Sequence, residues 1–141
     1  MITVWIDGAA KPNPGKGGMG VVIRGNGWDY TLSNKINSKE KVSNNQVEYF
    51  ALVAALEELI NNNLTKSEIL ILSDSELLVE QMKGNRQVGK GGKYLGAYLK
   101  AFMWSKYFSN ITFKYIPREE NAEANMLASK GIFFYLKYNI K

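Results

Sequence analysis

Three carboxylates stand where apolar segments would bring them together, and a carboxylate cluster is suited to holding metal ions. Asp7 ends one apolar run, Asp74 ends a second, and Glu48 stands early in a helical pattern. Three carboxylates without counter-charges would repel one another strongly, whereas divalent cations would neutralise them. The arrangement therefore predicts a metal-dependent site organised around Asp7.

The absent residue types narrow the chemistry further. The 141 residues include no Cys and no His, so neither a thiolate nor an imidazole can serve as nucleophile, general base or metal ligand. Oxygen ligands remain, and these favour a hard cation such as Mg²⁺ or Mn²⁺.

The charge distribution indicates a polyanionic partner. The formal net charge is +5, and no Asp or Glu occurs from Gln81 to Arg118. A basic stretch beside an acidic cluster is typical of a protein that anchors a polyanion and also needs metal. For any single lysine, a solvated surface position is the simpler interpretation. The basic residues of this stretch are Lys83, Arg86, Lys90, Lys93, Lys100, Lys106, Lys114 and Arg118.

Hydrophobic periodicity predicts an α/β domain with the element order βββαβααβα. The first three strands form a meander, with a loop rich in Pro and Gly over residues 11–18. Ser43 and Gln46 have the spacing of a capping box, which begins the first helix. This order implies a five-stranded mixed sheet with helices on both faces. The predicted strands cover residues 2–7, 19–24, 28–36, 68–73 and 111–116, and the helices cover 44–61, 75–83, 94–108 and 121 onward.

The apolar tail, residues 132–136, fits either a continuation of the last helix or a further strand, and the helix is favoured. We expect a single domain over residues 1–141 and a monomer without an obligate protein partner. The N-terminus lacks the pattern of a signal peptide, and no apolar run approaches the length of a membrane span. The expected location is therefore the cytoplasm, without membrane contact.

The predicted sheet places two of the acids at one edge. Its first and fourth strands can lie side by side and parallel, with Asp7 and Asp74 at their carboxyl ends, where open α/β sheets bind ligands. Glu48 lies in the first turn of the first helix, on the side near the core. Asp74 and Glu48, each considered by itself, could also have a structural role. Asp74 can cap the second helix, and Glu48 can interact with the dipole of the first helix.

Four segments of the chain form an ordered set. They are Ile6-Asp7-Gly8 followed by Asn13-Pro14-Gly15, Ser43-Asn44-Asn45-Gln46-Val47-Glu48, Leu72-Ser73-Asp74-Ser75, and Pro117-Arg118-Glu119-Glu120-Asn121-Ala122-Glu123-Ala124. This order and spacing resemble type 1 ribonuclease H in its compact form, without a separate hybrid-binding domain. The resemblance covers residues 2 to about 130.

The resemblance implies a ribonuclease H-like fold and endonucleolytic cleavage of the RNA strand of an RNA/DNA hybrid. It assigns Asp7, Glu48 and Asp74 as catalytic ligands of two Mg²⁺ or Mn²⁺ ions. Asn125 stands at the fourth catalytic and metal-binding position. In a two-metal site, one ion activates a water for in-line attack and the other stabilises the leaving 3′ oxygen.

The resemblance also implies contacts with the substrate. The pair Asn44 and Asn45 is not required by metal chemistry, but it suits a shallow minor groove that displays 2′-hydroxyl groups. Lys41 and Ser43 match positions that hold a DNA phosphate, although a surface lysine and a helix cap explain them equally well. The residues predicted to contact substrate are Gly8, Asn13, Lys41, Ser43, Asn44, Asn45 and Glu76.

Two positions depart from the family pattern. Asn125 replaces the usual Asp, and its neutral amide removes one negative charge from the site. The substitution is either engineered, to hold an intact substrate, or natural, and both interpretations predict slow or absent cleavage. Glu76 stands where the family often has Gln, which predicts tighter metal dependence or an altered substrate preference. A loop His that is frequent in the family has no counterpart.

Two other functions fit the same residues. One is a non-catalytic module that binds hybrids or duplexes on this fold, and the other is a related nuclease such as a resolvase or an exonuclease. The adjacent Asn44 and Asn45 favour ribonuclease H over both.

Overall fold

The computed structural model describes residues 1–140 and contains one mixed sheet. The strands are β1 (Ile2–Lys11), β2 (Lys16–Gly25), β3 (Trp28–Lys35), β4 (Glu68–Ser73), β5 (Asn110–Tyr115) and β6 (Leu136–Ile140), and the helices are α1 (Asn44–Asn61), α2 (Glu76–Met82), α3 (Leu95–Ser105) and α4 (Ala122–Gly131). The strand order is β5-β4-β1-β2-β3-β6. A 3₁₀ turn covers Arg118–Glu120. Within residues 1–140, no helix combines the length and apolar character needed to cross a bilayer.

The central strand is β1, which pairs in parallel with β4 and antiparallel with β2. A side chain at Gly8 would collide with the backbone of α1, whereas one at Gly20 would collide with the backbone of α4. Gly20 is the strand partner of Asp7, the neighbour of Gly8. Because successive strand residues point to opposite faces, α1 and α4 cover opposite faces of the sheet, as predicted.

The predicted loop over residues 11–18 is wrong in extent. β1 continues to Lys11 and β2 begins at Lys16, so only residues 12–15 form the turn. Gly17 and Gly18 are paired strand residues rather than loop residues, and Gly20 is a strand residue as predicted. They are small because α1 and α4 pack closely against this part of the sheet, not because the chain turns there.

The favoured helix for the tail is also wrong, and the sheet has six strands instead of five. α4 ends at Gly131, and residues 136–140 then pair antiparallel with β3. The physical reason is that β3 would otherwise leave its backbone donors and acceptors unpaired at the sheet edge. A side chain at Gly131 would collide with the backbone of Asn34 in β3, so the helix end already lies against that edge. Lys141 lies outside the described residues.

Candidate active site

Three carboxylates meet where β4 ends beside β1. One carboxylate oxygen of each of Asp7, Glu48 and Asp74 lies within 4.8 Å of the others. The last parallel pair between the two strands is Ile6 with Ser73, so Asp7 and Asp74 follow it directly. The expected position of Asp7 at the end of its own strand is wrong, because β1 continues for four residues beyond it. The carboxylate cluster therefore lies where β4 ends, while β1 continues past it.

Glu48 reaches this cluster because α1 packs directly on β1 at Gly8. Any Cβ at Gly8 would overlap the backbone of Val47 and Glu48. The predicted capping box is confirmed, since the Ser43 hydroxyl accepts from the Gln46 amide and the Gln46 side chain accepts from the Ser43 amide. Glu48 is the fifth residue of α1, and the first turn contains no acid, so the helix-dipole interpretation of Glu48 is wrong.

Gly8→Ala tests this close packing. We expect the free energy of unfolding to fall by about 2 kcal/mol, because the added methyl group overlaps the backbone of α1 and must displace it. The displacement also separates Glu48 from Asp7, so metal-induced stabilisation should weaken. Urea denaturation with and without Mn²⁺ measures both effects. The control is Gly96→Ala in α3, where a Cβ meets nothing within 4 Å and stability should be unchanged or slightly higher. Equal behaviour of the two variants would contradict the role of Gly8.

The electrostatics of the cluster favour protonation in the absence of metal. Burial, followed by the charges of Asp74 and Glu48, raises the pKa of Asp7 to about 8, against the lowering influence of the Gly8 amide and Arg118. Burial also raises the pKa of Glu48 to about 7, and the charge of Asp74 adds to this, while a hydrogen bond with Ser75 acts in the opposite direction. These carboxylates are therefore held together at a cost that a bound cation would remove.

Asp74 carries a free oxygen within this cluster. Its Oδ2 is buried and has no hydrogen-bond partner among the described residues. The structural alternative for Asp74 is wrong, because the cap of α2 is Ser75, whose hydroxyl accepts from the Leu78 amide at 3.2 Å. A buried, unpaired carboxylate oxygen within a cluster of three acids fits a hard divalent cation, with Asp7, Glu48 and Asp74 as the residues able to hold it.

Asn125 lies on α4, which borders the same region. Its neighbour Ala124 packs against Gly20, the strand partner of Asp7. The Asn125 Nδ2 donates to the Arg118 carbonyl at 3.2 Å, and its Oδ1 is buried without a described partner. Arg118 is close enough to Asp7 to lower its pKa. The Asn125 amide is therefore held by the backbone of Arg118, whose side-chain charge acts on Asp7.

Asn121 is a positioning residue that sequence reasoning missed. It is buried at the start of α4, and its Nδ2 donates to the Ile6 carbonyl at 2.9 Å, one residue before Asp7. This bond fixes α4 against β1 at the site. An Asn before a helix normally indicates an exposed cap, so its residue type gave no signal of a buried contact with a distant strand.

Glu123 is held away from the site, in agreement with the helical spacing. The two guanidinium NH₂ groups of Arg24 on β2 donate to its two carboxylate oxygens at 2.8 Å. This ion pair engages the Glu123 carboxylate, two positions before Asn125 in the sequence, so Glu123 does not replace the acid that the family has at position 125.

The residues predicted to contact substrate fall into two groups. Asn13 and Asn44 are brought together at the turn after β1, where the Asn13 Oδ1 accepts from the Asn44 amide and the Asn44 Oδ1 accepts from the Ala10 amide. Both oxygens are used internally, which leaves the two NH₂ groups directed at no described partner. Lys41, Ser43 and Asn45 are exposed or half-buried beside Asn44 in the chain. Glu76 is exposed at the start of α2, whereas Gly8 is buried under the backbone of α1.

Comparisons with known proteins agree with this geometry. The Reverse transcriptase-like family matches residues 6–131. A bifunctional protein of Mycobacterium tuberculosis is 31% identical over 131 residues, which are 93% of this chain but 35% of that protein. The chain thus spans about a third of the length of the first curated relatives it matches.

Solved structures extend the likeness over nearly the whole chain. The structure of LC11-RNase H1 in complex with an RNA/DNA hybrid matches with a TM-score of 0.82 and 34% identity, covering 94% of this chain and 96% of that one. RNase H1 from the archaeon Halobacterium salinarum matches with a TM-score of 0.81 and 27% identity, covering 93% and 96%. The chain belongs to the Reverse transcriptase-like family, as a domain of the type 1 ribonuclease H kind.

Proposed function

We propose that this chain binds RNA/DNA hybrids and is a metal-dependent ribonuclease that hydrolyses their RNA strand at a reduced rate. The observation that carries the proposal is the meeting of Asp7, Glu48 and Asp74 within 4.8 Å, with one buried oxygen unpaired. Support for the substrate comes from LC11-RNase H1, a 34% identical protein solved in complex with such a hybrid.

In this proposal the carboxylates hold Mg²⁺ or Mn²⁺, with two ions present when substrate is bound. Bound divalent ions would activate a water and neutralise the charge that develops on the leaving 3′ oxygen. The chain itself supplies position and charge. Asp7 is rigidly placed, because it pairs with Gly20 of β2 and follows Ile6, which pairs with β4 and whose carbonyl accepts from Asn121. No nucleophilic side chain is needed, in keeping with the absence of His and Cys.

Recognition of the hybrid would use the amides beside the cluster. The NH₂ groups of Asn13 and Asn44 can donate to base edges or 2′-hydroxyl oxygens, and their own oxygens are already fixed by backbone donors. This fixing lowers the entropy lost when the groups bind. Asn45 adds a third amide, while Lys41 and Ser43 would contact a phosphate of the DNA strand.

Cleavage of matched duplexes tests the proposal. We expect slow, Mn²⁺- or Mg²⁺-dependent cleavage of the RNA strand in a labelled RNA/DNA hybrid, and none in RNA/RNA or DNA/DNA duplexes of the same sequence. Cleavage of DNA/DNA with equal efficiency would instead indicate a related nuclease. The control variant is Asp74→Asn, which should bind the hybrid but not cleave it.

The second candidate is a non-catalytic module that binds hybrids, and Asn125 is the observation that favours it. In that case Asp7→Asn leaves both the affinity and its salt dependence unchanged, and no metal supports cleavage by the parent protein. Binding that requires a divalent cation would exclude this candidate.

A further inference from the structure

A cleft lined by lysines lies near the turn after β1, separate from the carboxylate cluster, and its charge suits phosphate. A cleft of about 680 Å³ opens between the turn after β1 and the segment that joins β3 to α1. We call it the lysine cleft. Its charged lining comprises five lysines and one acid, which are Lys11, Lys16, Lys35, Lys39, Lys41 and Glu40.

The positive charges of this cleft are not neutralised by the protein. Among residues 1–140, the ion pairs involve only Arg24, with Asp29 and Glu123, so no lysine of the cleft has a carboxylate within 4.0 Å. The Lys11 Nζ donates to the Ser129 hydroxyl of α4 at 3.2 Å, a neutral partner that leaves its charge in place. Several like charges facing one opening create a potential that concentrates anions.

The walls of the cleft are tied together by backbone hydrogen bonds. Gly15 and Val42 exchange two bonds, at 2.9 and 2.8 Å, and the Ile36 amide donates to the Gly17 carbonyl at 2.9 Å. These bonds join the turn after β1 to the segment after β3 on both sides of the opening. The two segments that line the cleft are therefore fixed relative to each other by backbone hydrogen bonds.

The cleft is placed at a specific distance from the carboxylates. Lys11 follows Asp7 by four residues on the same strand, which corresponds to about 13 Å at roughly 3.3 Å per residue. Asn13 and Asn44 lie at this end of β1, since the Asn44 Oδ1 is bonded to the amide of Ala10. The cleft and the carboxylates are therefore far enough apart to contact different phosphates of one bound hybrid.

We propose that the lysine cleft binds backbone phosphates of the hybrid away from the position acted on at the carboxylates. The inference rests on the proposed function, and it adds Lys11, Lys16, Lys35 and Lys39 to the phosphate contact expected of Lys41. The ligand class is the phosphodiester backbone, so the contact is independent of sequence and sensitive to salt.

The salt dependence of hybrid binding tests the cleft. The test variant is Lys16→Gln/Lys39→Gln, and the control is Lys66→Gln/Lys106→Gln. The control removes the same charge near the starts of β4 and β5, at the opposite end from the carboxylates. All four lysines are exposed, so both variants should melt like the parent protein. Affinity for an 18-base-pair hybrid is measured by fluorescence anisotropy from 50 to 300 mM salt.

We expect the test variant to bind about tenfold more weakly at 0.1 M salt, and the slope of log K against log salt to become shallower by about 2, while the control stays close to the parent. Equal slopes for test, control and parent would overturn the cleft and leave the proposed function standing. Failure of the parent protein to bind the hybrid at all would overturn both.

Discussion

Asn125→Asp is expected to raise the rate of RNA-strand cleavage by about 100-fold or more, which is the usual size of losing one preorganised electrostatic contact in an active site. The amide at this position has no negative charge, and its Oδ1 is buried without a partner. A carboxylate there would add a fourth ligand charge to Asp7, Glu48 and Asp74. Single-turnover cleavage of a labelled hybrid, with Mg²⁺ and with Mn²⁺, measures the change.

The same substitution should make stability more dependent on metal. Without metal, Asp at 125 loses the donor to the Arg118 carbonyl and adds negative charge near the carboxylate cluster, so the melting temperature should fall. Saturating Mn²⁺ should raise the melting temperature by more than this loss, since a ligand that binds only the folded state stabilises it. Asn110→Asp at the exposed start of β5 is the matched control and should change neither property. An Asn125→Asp protein that cleaves no faster than the parent would contradict the enzyme assignment.

Asp7→Asn is expected to abolish metal-dependent cleavage and, at the same time, to stabilise the metal-free protein at pH 8 by about 5 kcal/mol. The folded-state pKa of Asp7 is raised to about 8, whereas the unfolded value is about 4. Between these values the folded state keeps a proton that the unfolded state has lost. The metal-free parent therefore loses stability as pH rises from about 4 to about 8, and Asn removes this cost.

Urea denaturation in EDTA across this pH range checks the second prediction. The parent curve should fall toward pH 8, the Asp7→Asn curve should be flatter, and a smaller dependence should remain because the pKa of Glu48 is also raised, to about 7. Glu68→Gln, at the exposed start of β4, is the control and should follow the parent. Parallel curves for the parent and Asp7→Asn would show that the pKa of Asp7 is not raised in the metal-free folded protein.

The sequence was sufficient for the carboxylate cluster because each acid is placed by a strong local pattern. The buried runs before Asp7 and Asp74 predict adjacent strands, and the capping box fixes where α1 begins and hence where Glu48 lies. The closeness of α1 to β1, however, depends on Gly8, whose small size is informative only once the two elements are known to touch.

The rest of the site depends on contacts between residues that are far apart in the chain. Asn121 bonds to Ile6 across 115 positions, and no periodicity in a single sequence reports such a pair. The tail illustrates the same limit. Its apolar residues fit a helix or a strand equally well, and the deciding factor is the open edge of β3, which is a property of the assembled sheet.

The position of β6 also has a consequence for synthesis on the ribosome. Ser33 pairs with Leu136, about 100 positions later, so this edge of β3 stays unpaired until the residues of β6 have emerged. Contacts between such distant residues slow folding, because a long loop must close before they form. The nascent chain therefore carries β3 as an unprotected edge while the residues between β3 and β6 are synthesised, and this is the period in which pairing with another chain competes with correct folding.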